Sequence, residues 1–363
     1  MLVYIVAGAR PNFMKVSPIL KAFKKKKIHN KKLDYKLIHT GQHYDYNMSG
    51  SFFEQLEIQE PDIFLNVGSG TQAEQTASVM ISFEKTLIKK KPDLVIVVGD
   101  VNSTMACTIS AKKMGVPVAH VEAGIRSYDI SMPEEINRIV TDSIADYFFT
   151  TTENAKANLL KNNVSSENIF FVGNTMIDTL NFNLKKIKKP SILLEKKIIN
   201  KKYFLVTLHR PSNVDDFSKL KQILNQIEAS CREFKIIFPV HPRTKKNLSK
   251  NNYKSKKIIL TDPFGYHEFI YLTKNSSGVI TDSGGVTEEA TVLSIPCITL
   301  RNSTERPETV SIGTNELVGD NLHLMKKNIK KIIDGKWKDG GIPNLWDGKT
   351  AERIVDIVNK IKI

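Results

Sequence analysis

Three acidic residues stand where strand-like runs of apolar residues give out. Gly99-Asp100 closes the run 94–98, Glu122 ends His120-Val121-Glu122, and Glu134 lies in Ser131-Met132-Pro133-Glu134-Glu135 at the opening of a helix. A carboxylate buried at a strand end is costly unless it is paired or hydrogen-bonded. Three of them at the ends of successive units of one sheet would converge, and crowding pushes one carboxyl pKa upward, which suits proton transfer. Each position also has a plain local reading. Asp100 or Asn102 fits as the cap of the helix that follows, and Ser131-x-x-Glu134 has the form of a capping box. A second set of residues suits an anion. Arg10 and Lys15 flank the start of the first helix, and His-Arg pairs follow two strands at His209-Arg210 and, with one proline between, His241-Pro242-Arg243. In Thr281-Asp282-Ser283-Gly284-Gly285 a strand, a small-residue turn and a helix start place the Ser283 hydroxyl and free N–H groups where a phosphate can sit. Glu289, about a turn and a half along that helix, has the reach for ribose hydroxyls, and Arg306 adds a second cation.

The elements that must position these residues alternate almost throughout. Strands are predicted at 2–7, 33–40, 94–99, 116–122, 147–151 and 169–172, with helices near 12–26, 72–90, 103–114, 134–146 and 154–162. The second half repeats the scheme, with strands at 203–207, 235–239, 258–261, 278–281 and 297–300. Its helices fall near 215–229, 266–274, 284–294 and 323–334. Continuous apolar strands separated by helices predict parallel sheets covered on both faces. At 363 residues the chain is long enough for two such α/β domains with a cleft between them. We place them at 1–172 and 173–350, with a last helix at 351–363 packing back on the first. In such sheets ligands bind outside the carboxyl ends of the strands, where the polar clusters fall.

Composition narrows the chemistry. The net charge of +15 comes mostly from lysine, since only nine of the 53 basic residues are arginine. The lysines form short runs, and no zinc-finger, RNA-binding or helix-turn-helix pattern accompanies them, so we expect no nucleic-acid partner. No apolar run has the length of a membrane span, and Cys107, Cys231 and Cys297 are too scattered for a disulfide framework or a zinc site. No secretory leader is legible, and a cytoplasmic setting is the expectation. The first turn carries one glycine and a proline in place of G-x-G-x-x-G, which argues against a nicotinamide dinucleotide there. No cofactor and no metal is expected.

Taken as a set and in order, GARPNFMK, TGQHYDYNM, VVGDVNST, HVEAGIRS, MPEEINR, TLHR, HPRT, TDSGGVTEEA and RNSTERPE resemble the non-hydrolysing UDP-N-acetylglucosamine 2-epimerases. The resemblance runs from Val3 to about Gly319. It implies the GT-B architecture of two Rossmann-like doubly wound domains, a nucleotide-sugar substrate and a homodimer. Position by position it implies UDP-sugar binding by Arg10, Arg138, His209, Phe269, Ser283, Gly284, Gly285, Glu289 and Arg306. It links Lys15, Asp100, Glu122, Glu134 and His209 to catalysis. The implied reaction interconverts the gluco and manno isomers at C2 by elimination of UDP to a 2-acetamidoglucal and re-addition, supplying surface polysaccharide precursors. A second substrate molecule activates many bacterial members. Of the two glutamines used there, Gln42 matches one and Asp45 replaces the other. The short segment between Arg126 and Pro133, and the run TLHRPSNV, resemble a branch acting on other UDP-sugars, such as diacetamido-uronic acids and amino-deoxy sugars. The rival functions are a GT-B glycosyltransferase, a hydrolysing 2-epimerase and a silent nucleotide-sugar binder.

Overall fold

The computed structural model describes residues 1–8, 10–41 and 56–361; Gln42 and Asp45 lie outside the described residues. The chain divides into two compact units, Met1–Phe182 with Asn344–Ile363, and Asn183–Pro343. The first holds a parallel sheet of β1 (Leu2–Ala7), β2 (Asp34–His39), β3 (Ile63–Phe64), β4 (Leu94–Val98), β5 (Val118–Val121), β6 (Tyr147–Thr150) and β7 (Ile169–Phe171). Its order is β3-β2-β1-β4-β5-β6-β7, so the chain reverses direction across the sheet between β1 and β4. The second unit repeats the design with β8 (Tyr203–Thr207), β9 (Lys235–Pro239), β10 (Ile258–Thr261), β11 (Gly278–Thr281), β12 (Cys297–Thr299) and β13 (Asn315–Leu317). There the order is β10-β9-β8-β11-β12-β13, with the reversal between β8 and β11. Doubly wound sheets open a crevice at such a reversal, beyond the strand carboxyl ends.

Apolar runs form these strands because both faces are covered. In β8, Phe204 and Val206 enter one apolar cluster while Tyr203 and Leu205 enter another, which is the two-residue period of a strand buried on both sides. The two short strands β3 and β13 escape sequence reading, because two or three residues are too few to show a period. Helix starts are set by local chemistry. Thr71 and Glu74 form a reciprocal capping box on the helix Gln72–Lys89. Asp100 and Asn102 do not cap the next helix. Its N-cap is Val101, with no side-chain cap bond. Nor does Ser131 cap the helix Pro133–Ile144. Met132 is the N-cap, and the Ser131 hydroxyl donates instead to Asp129 Oδ1 at 2.6 Å.

The division falls after Phe182, ten residues past the break placed at 172. The helix Thr175–Asn183 is tied to the first sheet's helices, with Thr179 Oγ1 donating to Met14 O at 2.5 Å. Its Asp178 carboxylate accepts the Thr350 and Ala351 N–H groups at 3.1 and 2.7 Å, capping the last helix, Thr350–Val358. That helix lies along Arg10–His29, where Glu352 meets Lys25 and Asp356 meets Lys26.

Candidate active site

In the first unit the polar cluster gathers beyond the ends of β4 and β5. Glu122 follows β5 directly, is buried, and forms an ion pair with Lys15 of the first helix. Lys15 is thus turned inward against a carboxylate; its side chain is only 17% exposed. Glu122 holds φ at 73°, a left-handed backbone unusual outside glycine. Gly99 lies beneath the pair at φ 71°, and a methyl group there would come within 3.3 Å of both Glu122 Oε2 and Lys15 Nζ. The β4 turn therefore passes close under the ion pair, which needs a residue with no side chain.

Asp100 comes next, with one carboxylate oxygen 3.5 Å from Arg138 Nη1. Arg138 is 3% exposed and has a second carboxylate, that of Glu135, 3.1 Å from Nε. Its Nε and Nη2 nevertheless make no hydrogen bond among the described residues. A buried guanidinium left short of acceptors is expensive unless a ligand completes it. Glu135, missed in the sequence, is buried and accepts the Ser127 N–H and hydroxyl and the Tyr128 N–H at 2.9 to 3.1 Å. Glu134 is exposed on the first turn of the same helix. The Asn137 amide donates to Asp100 O and to Asn102 Oδ1, and Asn102 in turn donates to Gln72 and Gln75. A chain of amides thus fixes the Asp100 turn. Arg10 begins the first helix; its side chain lies outside the described residues. A cavity of about 930 Å³ lies along Arg126, Glu135 and Asp142. None of Lys15, Asp100 and Glu122 lines it, so it flanks the acidic cluster without opening onto the ion pair.

In the second unit the sheet reversal brings β8 and β11 together. His209 Nδ1 lies 2.8 Å from the fully buried Asp282, while the imidazole is 54% exposed. Asp282 also accepts the His209 and Arg210 N–H groups and the Asn213 amide. Burial raises its carboxyl, but His209, Asn213 and the Arg210 N–H outweigh that and hold it below the ordinary carboxylate value. Asp282 orients the imidazole through Nδ1, and Nε2 is left to serve a ligand. Its place one residue after β11 and beside the Ser-Gly-Gly turn was the available signal.

Ser283 is the N-cap of the helix Gly284–Val292 and makes no side-chain cap bond, so its hydroxyl and the first N–H groups suit an anion. A Cβ on Gly284 would lie 4.0 Å from Arg301 Nη1, so that guanidinium, held bidentate by Glu305, flanks the turn. Arg306 is buried, with Nε 2.5 Å from Glu288. Glu289 accepts a 3.0 Å bond from the Tyr266 hydroxyl. Burial pushes its carboxyl to about 7 although that bond opposes it, and burial with the nearby Glu289 raises the Tyr266 hydroxyl well above its usual value. Tyr266 and Phe269 share the helix Tyr266–Asn275, where Phe269 is half-buried against the apolar cluster of Leu205 and Ile237.

A family model described as UDP-N-acetylglucosamine 2-epimerase matches residues 26–359. The chain is 46% identical over 366 aligned positions to the UDP-N-acetylglucosamine 2-epimerase of Methanocaldococcus jannaschii, covering 98% of each. It is 37% identical to the UDP-2,3-diacetamido-2,3-dideoxy-D-glucuronate 2-epimerase of Pseudomonas aeruginosa, covering 99% of this chain and all of that one. The crystal structure of the M. jannaschii enzyme in complex with UDP-GlcNAc and UDP superposes with a TM-score of 0.86 at 45% identity, over 99% of this chain and all of that one. On sequence and fold together, the chain belongs to the UDP-N-acetylglucosamine 2-epimerase family.

Proposed function

We propose that this chain is a non-hydrolysing epimerase that interconverts UDP-N-acetylglucosamine and its manno isomer. The observation that carries the reading is the acidic cluster of the first unit, where Glu122 is paired with Lys15 over Gly99 and Asp100 is paired with Arg138. A protein that only holds a nucleotide has no use for that cluster.

The hydrogen on C2 is not beside a carbonyl, so it becomes removable only as the anomeric bond breaks. A carboxylate of the first unit takes the C2 proton as the C1–O bond cleaves; the bond's electron pair leaves on the UDP oxygen and a C1=C2 double bond remains. Protonation of C2 from the opposite face and return of the UDP oxygen to C1 give the other isomer. Two opposed acid/base groups are needed, and we assign them among Asp100, Glu122 and Glu134. Lys15 holds Glu122 in place, and Arg138 holds the sugar. In the second unit we assign the departing diphosphate to His209, Ser283, Gly284, Gly285 and Arg306, with Arg10 of the first helix. Stabilising charge as it develops on the leaving oxygen is the largest contribution such a site can make. Glu289 takes the ribose hydroxyls and Phe269 flanks the uracil.

The similarity to the Pseudomonas enzyme and the short 126–133 segment support a second reading, a C2-epimerase for a related UDP-sugar. A homodimer, a cytoplasmic location and a role in surface polysaccharide precursor synthesis complete the proposal. The test is incubation with UDP-N-acetylglucosamine alone, followed by proton NMR. The manno isomer is expected. Free UDP with N-acetylmannosamine identifies a hydrolysing enzyme, and turnover of only the diacetamido-uronate establishes the second reading.

A further inference from the structure

One buried group is used by none of these steps. His120, on β5, is fully buried, and both of its ring nitrogens face acceptors. Nε2 lies 2.9 Å from the Gly99 carbonyl and Nδ1 lies 2.7 Å from Asp142 Oδ1. Asp142 is on the helix Pro133–Ile144, which also carries Glu134 and Arg138. Its other oxygen accepts the Gly124 N–H at 3.0 Å and Arg126 Nη1 at 2.6 Å. His120 therefore ties together three segments. One is the left-handed Gly99 turn that presents Asp100, another is the turn after β5 that presents Glu122, and the third is the helix that presents Arg138.

Both turns enter the left-handed region, and the one after β5 does so at a residue other than glycine, Glu122, where it stores strain. Gly99 and Gly124 have φ of 71° and 77°, and Glu122 has 73°. A residue with a side chain, as at Glu122, persists in that region only where its surroundings over-determine it. The hydrogen bonds around His120 supply that. The Gly99 N–H donates to Val121 O while the Gly99 carbonyl accepts from His120, so the β4 turn is held from both sides by β5. Burying an ion pair such as Arg126–Asp142 is seldom the most stable solution for a core, where well-packed apolar residues do as well or better. The place of His120, two residues before Glu122 and against the carbonyl that precedes Asp100, points to geometry as its purpose.

We propose that His120 is a positioning residue for the epimerisation: by bridging the Gly99 carbonyl and the Asp142 carboxylate, it fixes the Asp100 and Glu122 turns relative to the helix that carries Arg138. The inference rests on the epimerase reading. It touches no substrate; it sets where the acid and base groups stand. Displacement of such groups by about 1 Å costs on the order of 10²-fold in rate.

The test compares wild type, His120→Gly and His120→Asn as full-length proteins, each first checked for folding by thermal melting. Initial rates with UDP-N-acetylglucosamine give kcat and KM, and calorimetry gives UDP affinity, a property assigned mainly to the other unit. The expected result is a kcat lower by roughly 10²-fold, with KM and UDP affinity nearly unchanged. Added imidazole, by refilling the space between Gly99 O and Asp142, should restore part of kcat in His120→Gly saturably and do nothing for His120→Asn. If His120→Gly does not fold, His120→Asn still has to show the isolated loss of kcat. A folded variant with wild-type kcat overturns the proposal. So does a loss of kcat that merely tracks lost folded protein and ignores imidazole. A wild type inactive on every UDP-N-acetylhexosamine sinks the epimerase reading and this one with it, whereas an active wild type with unaffected variants sinks this one alone.

Discussion

Glu289 offers a prediction whose size follows from its surroundings. Its side chain is buried, among the described residues it accepts one hydrogen bond, from Tyr266, and its carboxyl is raised from 4.5 to about 7. A raised carboxyl means that the folded protein holds a proton which the unfolded chain releases above pH 4.5. The stability this contributes is fully present below 4.5 and is lost as pH rises through 7. At about 1.4 kcal/mol per pH unit, the loss is about 3 kcal/mol. Glu289→Gln removes the titration while nearly preserving shape. Urea unfolding would be followed at a series of pH values by tryptophan fluorescence, with Trp337, bonded to Thr314 O in the same unit, as reporter. The difference between variant and wild type should move toward the variant by about 3 kcal/mol between pH 4.5 and 8. UDP binding should move the other way. The carboxylate accepts ribose hydroxyls through charge-assisted bonds worth about 1.5 kcal/mol or more, so the variant should bind UDP at least roughly tenfold more weakly at pH 8. Wild-type affinity should rise as pH passes 7. A stability difference flat across that window would refute the reasoning, because Glu289 would then be charged in the folded protein throughout.

Three further outcomes follow from the same geometry. Lys15→Met removes the ammonium paired with the buried Glu122. It should destabilise the first unit by about 3 kcal/mol, and urea midpoints of variant and wild type check this. Asp282→Asn loosens the His209 imidazole and the turn after β8 together, and should lower kcat by roughly 10²-fold with a measurable fall in Tm. Gly99→Ala forces a side chain into a left-handed turn beneath the Lys15–Glu122 pair. It should cost about 1–2 kcal/mol and reduce kcat beyond what the lost stability explains, read as activity per folded molecule.

The long apolar strands and amphipathic helices were legible in the sequence, because a parallel sheet buried on both faces leaves continuous runs such as Leu94–Val98. The gathering of polar residues at the strand carboxyl ends was legible too, since Asp100, Glu122, His209 and Ser283 stand just after those runs. What could not be read was pairing. The inward turn of Lys15 to Glu122, the Asp282 carboxylate behind His209 and the Tyr266 hydroxyl on Glu289 join residues 107, 73 and 23 positions apart, and nothing local signals them. The capping readings at Asn102 and Ser131 failed for a related reason. Asn102 is drawn into the Gln72–Gln75–Asn137 amide chain and Ser131 into a bond with Asp129, and either partner competes with the helix end.

The central claim is that the first unit's carboxylates exchange the C2 proton while UDP departs and returns. Proton NMR of the enzyme with UDP-N-acetylglucosamine in D2O, with no acceptor added, tests it most directly. The account predicts deuterium at C2 in both the gluco and the manno isomer, with UDP still attached, and loss of that exchange in Glu122→Gln. Formation of the manno isomer with hydrogen retained at C2 would contradict it.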